Sequence, residues 1–243
     1  MLDTKARAVL SPSLDRAGAR LAAAGISPNS LTFAGWVVGV TACLAAATGM
    51  WPAALLLWLA NRLIDGLDGA VARAVGPTDR GGFLDVVADF SIYAGFVLAV
   101  AVAVPAARLA CLVLLVTYYI SGAAFLALSS LLERRRHTCG DERSLRFVGG
   151  LAEGTETVLV YVAFTLLPRH AAVIAWLFAA AVAITAVQRI TFAYRVLSEP
   201  ATAPQPTPAG TDTSARKPYS PRSCSCPRPD PGFPAPDVPR SWS

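Results

Sequence analysis

The chain has 243 residues, of which 54% are hydrophobic and only 15% charged, with a formal net charge of +5. A soluble domain of this size would carry about a quarter charged residues. An ordinary soluble enzyme and a fully disordered chain are both excluded, and a polytopic membrane protein remains.

Taken in chain order, residues 1–30 place Lys5, Arg7, Arg16 and Arg20 among alanines and leucines. This pattern suits an amphipathic helix lying on an anionic membrane surface. It does not read as a secretory signal, because the basic region is long and no small-residue cleavage site follows a short apolar core. Ser27-Pro28-Asn29 supplies helix-start chemistry ahead of the first span.

No charged residue lies between Arg20 and Arg62, and between residues 90 and 132 Arg108 stands alone. Such gaps hold spans of about 20 apolar residues. Six spans are expected, over residues 31–48, 51–75, 82–104, 106–132, 155–168 and 170–197, with Gly49, Pro105 and Pro168 marking short turns. With the N-terminus inside, the cytoplasmic side collects Lys5, Arg7, Arg16, Arg20, Arg73, Arg80, Arg134, Arg135, Arg136, Arg143 and Arg146. The outer turns hold only Arg108 and Arg169. This asymmetry argues for cytoplasmic N- and C-termini and an even number of spans. The expected fold is an all-α integral membrane protein, a six-helix transmembrane bundle with an N-terminal interfacial amphipathic helix.

After Leu197 the composition changes: twelve of the 18 prolines fall between Pro200 and Pro239. A segment of this kind cannot bury enough apolar surface to offset its chain entropy. The domain reading is therefore an N-terminal cytoplasmic segment (1–30), a membrane domain (31–198) and a disordered tail (199–243). Cys224 and Cys226 read as two unpaired thiols in that tail, and Cys43 and Cys111 as small apolar residues inside spans. With Cys139 in a basic loop, no disulfide framework is implied.

Chemistry concentrates in one window. Every acidic residue between positions 21 and 132 falls from Asp65 to Asp89. Asp65 and Asp68 end the second span, whereas Asp85 and Asp89 open the third. Steps of three and four residues on a helix return to nearly the same face. The short loop at residues 74–81 makes the two helices antiparallel neighbours, so all four carboxylates converge at one depth near the cytoplasmic surface. Bare anions resist such crowding through desolvation and mutual repulsion, and either protons or cations must neutralise them. An all-oxygen site completed by water and phosphate suits Mg²⁺ best, with Mn²⁺ or Ca²⁺ as alternatives. Two such ions would clamp a pyrophosphate and stabilise displacement at one phosphorus.

Gly66, Gly69, Gly81 and Gly82 crowd the same region, where missing side chains let a ligand or backbone approach closely. Arg73, one turn after Gly69, has the reach for phosphate oxygens. A plain solvated loop accounts for Asp79 and Arg80 but not for Asp89, which lies well inside an apolar run. An ion-coupled transporter or a non-catalytic scaffold is the competing class. It would call for further acids or broken spans in a repeat-related half, and none is seen.

The pattern Asp65-x-x-Asp68-Gly69-x-x-Ala72-Arg73, followed by Gly81-x-x-x-Asp85-x-x-x-Asp89, resembles the signature of the CDP-alcohol phosphotransferases, also called CDP-alcohol phosphatidyltransferases. Ser27-Pro28-Asn29-x-Leu31-Thr32 and the six-span layout extend the resemblance across residues 25–197. One departure is visible: the interval from Arg73 to Gly81 is one residue shorter than in the family pattern. The resemblance implies a membrane enzyme of phospholipid synthesis. It would transfer a phosphatidyl group from CDP-diacylglycerol to an alcohol such as glycerol 3-phosphate, inositol phosphate or serine, releasing CMP. It further implies that Asp65, Asp68, Asp85 and Asp89 hold two Mg²⁺ or Mn²⁺ ions, with Asp89 also the general base. Gly69 and Ala72 would leave room for the cytidine, Arg73 would assist near the phosphates, and Gly81 would complete the substrate site. A homodimer among membrane lipids is implied, and no nucleic-acid partner.

Four features outside the signature complete the reading. Tyr93, one turn after Asp89, reads as a packed tyrosine that is also able to orient Asp89. Glu153 and Glu156 share a face at the start of the fifth span, where they would complement the helix dipole or approach the acceptor. Arg143 and Arg146, in the strongest basic patch, are candidates for a phosphate on the acceptor. Arg189 and Arg195 read as interfacial anchors.

Overall fold

The computed structural model describes residues 2–139 and 154–198, with side chains over 11–134 and 154–198. The tail at 199–243, with Cys224 and Cys226, and the expected acceptor residues Arg143 and Arg146 lie outside the described residues, as does Glu153. Among the described residues every regular element is helical. The seven α-helices are α1 (Leu2–Ala23), α2 (Pro28–Ala47), α3 (Trp51–Val75), α4 (Asp79–Ala103), α5 (Arg108–Cys139), α6 (Gly154–Leu166) and α7 (Ala171–Ser198).

Local chemistry sets the boundaries. Pro28 occupies the first turn of α2, and the Ser27 hydroxyl caps that helix by accepting from the Ser30 amide at 3.2 Å. Gly49 turns the chain into α3 at φ +76°, and Gly76 ends α3 at φ +100°, a region that L side chains avoid. Thr78 then caps α4 by accepting from the Gly81 amide at 3.1 Å. This cap starts α4 earlier than expected. Asp79 and Arg80 are therefore exposed residues of its first turn rather than of a loop, and Asp79 complements the helix dipole there. Short 3₁₀ turns at Pro105–Ala107 and Pro168–His170 join α4 to α5 and α6 to α7.

Four segments are long and apolar enough to cross a bilayer: Pro28–Ala47, Asp79–Ala103, Pro105–Arg134 and Pro168–Ser198. Helix α3 has 25 residues, but from its middle onward it carries Arg62, Asp65, Asp68 and Arg73, and α6 has only 13 residues. The bundle's outer surface is correspondingly apolar, with Phe33, Leu56, Leu98, Leu109 and Leu177 each more than half exposed. Backbone polar groups satisfied within helices, together with such a surface, are what a bilayer requires. The chain is a multi-pass membrane protein.

Packing sets α2 against α3 and α4, α5 against α7, and α1 against α3 and α6. The approach of α1 to α3 depends on Gly18: a Cβ there would fall 2.6 Å from the Ala70 Cβ. On the other side of α3, Trp58, Phe96, Tyr161 and Phe164 are fully buried. Trp58 and Tyr161 have ring centroids 4.8 Å apart, and Phe96 and Tyr161 stack at 5.0 Å. This aromatic block ties α3, α4 and α6 together immediately beside the charged segment of α3.

Candidate active site

Asp65 and Asp68 project from α3, and Asp85 and Asp89 from α4. All four line a single cavity of about 1300 Å³. The short turn and the shared packing on α2 account for this. Residues 76–78 return the chain in three positions, but α3 and α4 do not pack closely as the antiparallel neighbours the short loop suggested: both are seated on α2, and the cavity opens between their charged ends. Gly69, Ala72, Arg73 and Gly81 line the same cavity, which continues past Tyr118, Ser121, Phe125 and Arg189.

Each carboxylate has its own surroundings. Asp68 is the most enclosed, at 5% exposure, and its Oδ2 accepts from the Thr32 hydroxyl of α2 at 2.6 Å. Asp89 accepts on Oδ1 from Nη2 of Arg62 at 2.9 Å, while Nη1 of Arg62 stands 3.6 Å from Asp65 Oδ2. Asp65 and Asp89 are thus bridged by one guanidinium. Asp85 makes no hydrogen bond among the described residues and lies partly buried on the cavity wall.

The donor set is four carboxylates with no sulfur or imidazole, a hard oxygen environment of the kind that takes Mg²⁺, Mn²⁺ or Ca²⁺. Among the described residues, no three His, Cys, Asp or Glu side chains form a ready-made ligand cluster. Arg62 and Thr32 take up carboxylate oxygens that a cation would otherwise share. The residues fit divalent cations in chemistry, and one positive charge is already present between two of them.

Several expectations change. Arg73 lines the cavity but is already paired: its Nη2 lies 2.7 Å from Asp15 Oδ1 on α1, and its guanidinium lies over Gly69. Tyr93 meets Arg62 rather than Asp89, its hydroxyl accepting from Nη1 at 2.7 Å. Arg189 is not a simple interfacial anchor. It lines the cavity, donates to the Ser121 hydroxyl at 2.9 Å and lies over the Phe125 ring at 5.3 Å. Glu156 stays off the cavity wall, although its neighbours Gly154, Thr155 and Thr157 line it.

Sequence reasoning missed Arg62, Thr32 and Asp15 as members of this site. Arg62 is three residues before Asp65, an ion-pair spacing on a helix, and that signal was available. Asp15 meets Arg73 across 58 positions, for which spacing offers no clue.

A helical membrane bundle with a carboxylate-lined cavity at one helical hairpin is the class that fold and site define. The CDP-alcohol phosphatidyltransferase family model matches residues 25–188 of this chain, and the chain belongs to that family. It is therefore an enzyme of phospholipid chemistry rather than a transporter or scaffold. The chain is 39% identical over 203 residues to the inner membrane protein YnjF of Escherichia coli, covering 81% of this chain and 97% of that protein. Archaetidylinositol phosphate synthase of Pyrococcus horikoshii is 36% identical over 87 residues, 35% of this chain and 46% of that protein. In fold, the chain resembles phosphatidylinositol phosphate synthase of Mycobacterium tuberculosis with CDP-DAG bound. That match has a TM-score of 0.59 and 24% identity, covering 74% of this chain and 93% of the other. The same enzyme in complex with manganese and citrate gives a TM-score of 0.62 at 23% identity, covering 74% and 88%.

Proposed function

We propose that the protein transfers a phosphatidyl group from CDP-diacylglycerol to the hydroxyl of an alcohol acceptor, releasing CMP. The observation that carries this reading is the convergence of Asp65, Asp68, Asp85 and Asp89 on one cavity of the helical bundle. Support also comes from the solved relative of similar fold that holds CDP-DAG.

In this reading the four aspartates hold two divalent cations, Mg²⁺ or Mn²⁺. When bound, these supply charge neutralisation and Lewis acidity at the pyrophosphate. Asp89 takes the proton of the acceptor hydroxyl as its oxygen bonds to the phosphatidyl phosphorus and the bond to the CMP oxygen breaks. An alcohol is too weakly acidic to ionise beforehand, so proton removal must accompany attack. Gly69 and Ala72 make room for the cytidine, Gly81 lets the loop approach it, and Arg73 assists at the phosphates after release from Asp15. Exclusion of water by the apolar bundle favours the alcohol over hydrolysis.

The same reading places six spans in the membrane, with α3 and α6 completing the four apolar ones. Both termini are cytoplasmic, α1 lies on the membrane surface, and residues 199–243 form a separate tail. Arg143 and Arg146 approach a phosphate on an acceptor such as glycerol phosphate or inositol phosphate, and the chain works as a homodimer.

The test is CMP release by purified full-length protein given CDP-diacylglycerol, Mg²⁺ or Mn²⁺, and a panel of glycerol 3-phosphate, inositol phosphate and serine. Release with at least one acceptor is expected. Silence with all of them, in a correctly inserted protein, overturns the proposal.

A further inference from the structure

Arg62 lies outside the family signature, and its side chain is only 12% exposed although it carries a full charge. A charge so enclosed must be paired and hydrogen-bonded, and its partners here are specific. Nε and Nη2 both donate to Asn61 Oδ1, at 2.9 and 2.7 Å. Nη1 donates to the Tyr93 hydroxyl at 2.7 Å, and Nη2 to Asp89 Oδ1 at 2.9 Å. The guanidinium carbon lies 4.9 Å from the Trp58 ring centroid and 5.0 Å from that of Tyr93.

The holders are themselves held. Asn61 is 3% exposed, and its Nδ2 donates to the Gly35 carbonyl at 2.8 Å. The Tyr93 carbonyl accepts from the fully buried Tyr161 hydroxyl at 2.7 Å. A planar fork fixed on three sides cannot follow a ligand, whereas Asp89 can follow the fork. Arginine also keeps its proton under all ordinary conditions and does not bind a metal cation.

We propose that Arg62 is a positioning residue: locked by Asn61 and Tyr93, it grips Asp89 through Oδ1 and leaves Oδ2 as the oxygen for a cation or the acceptor. The same guanidinium sets the spacing between Asp65 and Asp89, which it bridges. The inference rests on the function proposed above and adds a residue to its machinery. Partners that orient a metal-binding carboxylate are worth roughly 10-fold to 100-fold in metal affinity or activity.

The experiment compares wild type, Arg62→Lys and Arg62→Ala as full-length protein in nanodiscs. Two readouts are used: Mn²⁺ binding by electron paramagnetic resonance, and steady-state CMP release. Lysine keeps the charge but cannot span Asn61, Tyr93 and Asp89 together. The Lys variant is expected to raise the Mn²⁺ midpoint by about 10-fold, because the charge stays while the grip on Asp89 is lost. The Ala variant also removes a competing positive charge and is read by kcat alone. Both variants should lower kcat by about 10-fold or more. An unchanged or lower Mn²⁺ midpoint in the Lys variant, or either variant equal to wild type in kcat, overturns the proposal. If the Ala variant fails to insert, the Lys variant alone decides. If wild type releases no CMP, the function falls, and the Mn²⁺ arm still judges Arg62 separately.

Discussion

Arg73 and Asp15 form an ion pair of 2.7 Å that joins the charged end of α3 to α1 at the edge of the cavity. Both side chains are more than half exposed, and pairs of that kind contribute only about 0–1 kcal/mol. Asp15→Asn is therefore expected to leave the thermal midpoint nearly unchanged. Arg73→Ala is expected to raise the donor KM by about 10-fold, the loss of one charged hydrogen-bond partner of a phosphate. Steady-state kinetics with varied CDP-diacylglycerol separate the two. An Arg73→Ala enzyme with normal donor KM would remove Arg73 from the phosphate site.

Asp89→Asn keeps the shape of the side chain and its acceptor oxygen for Arg62, but removes the carboxylate proposed as the base. Turnover is expected to fall by about 100-fold to 10,000-fold, the range for loss of a general base. Membrane insertion and helix content, followed by circular dichroism, should be retained. Comparable turnover in the variant would assign the base to another group.

Chelation gives a third expectation. Treatment with EDTA should abolish CMP release, and Mg²⁺ or Mn²⁺ in excess of the chelator should restore it. Four carboxylates with one resident guanidinium leave a net negative site that needs further cations to admit a pyrophosphate. Full activity in EDTA after exhaustive dialysis would contradict the metal reading.

Gly18→Val addresses the seat of α1. The new Cβ would fall 2.6 Å from the Ala70 Cβ and 2.8 Å from its carbonyl carbon, and a backbone atom cannot yield as a flexible side chain does. Overpacking of this sort costs about 1–3 kcal/mol. The expected result is a lower thermal midpoint and faster proteolysis of α1, with α2 to α7 still inserted. Unaltered protection of α1 would show that the contact with Ala70 is dispensable.

Much of the site was legible because its carboxylates lie at three- and four-residue steps on two helices joined by a short loop. Charge scarcity made them stand out, and Ser27-Pro28 marked the start of α2 for a similar local reason. What escaped was anything decided by tertiary contact. Arg62 was visible as the end of an uncharged stretch and through its spacing to Asp65, yet its meaning comes from Asn61, Tyr93 and Asp89 around it. Arg189 sits near a helix end like any interfacial anchor, and only the packing of α5 against α7 turns it toward Ser121. Thr78 moved the start of α4 through a capping bond that composition alone does not weigh.

The hairpin of α3 and α4 has a consequence for biogenesis. All four aspartates lie within 25 consecutive positions, on two helices joined by a three-residue turn and both seated on the preceding α2, so their convergence demands little loop-closure entropy. The guanidinium that grips Asp89 belongs to the same hairpin. Tyr161, which braces it from α6, emerges 68 residues after Tyr93. During synthesis, then, the four acids can come together once α2, α3 and α4 have emerged, and the brace from Tyr161 arrives later. A nascent chain in that interval holds a carboxylate cluster whose own arginine supplies the first compensating charge.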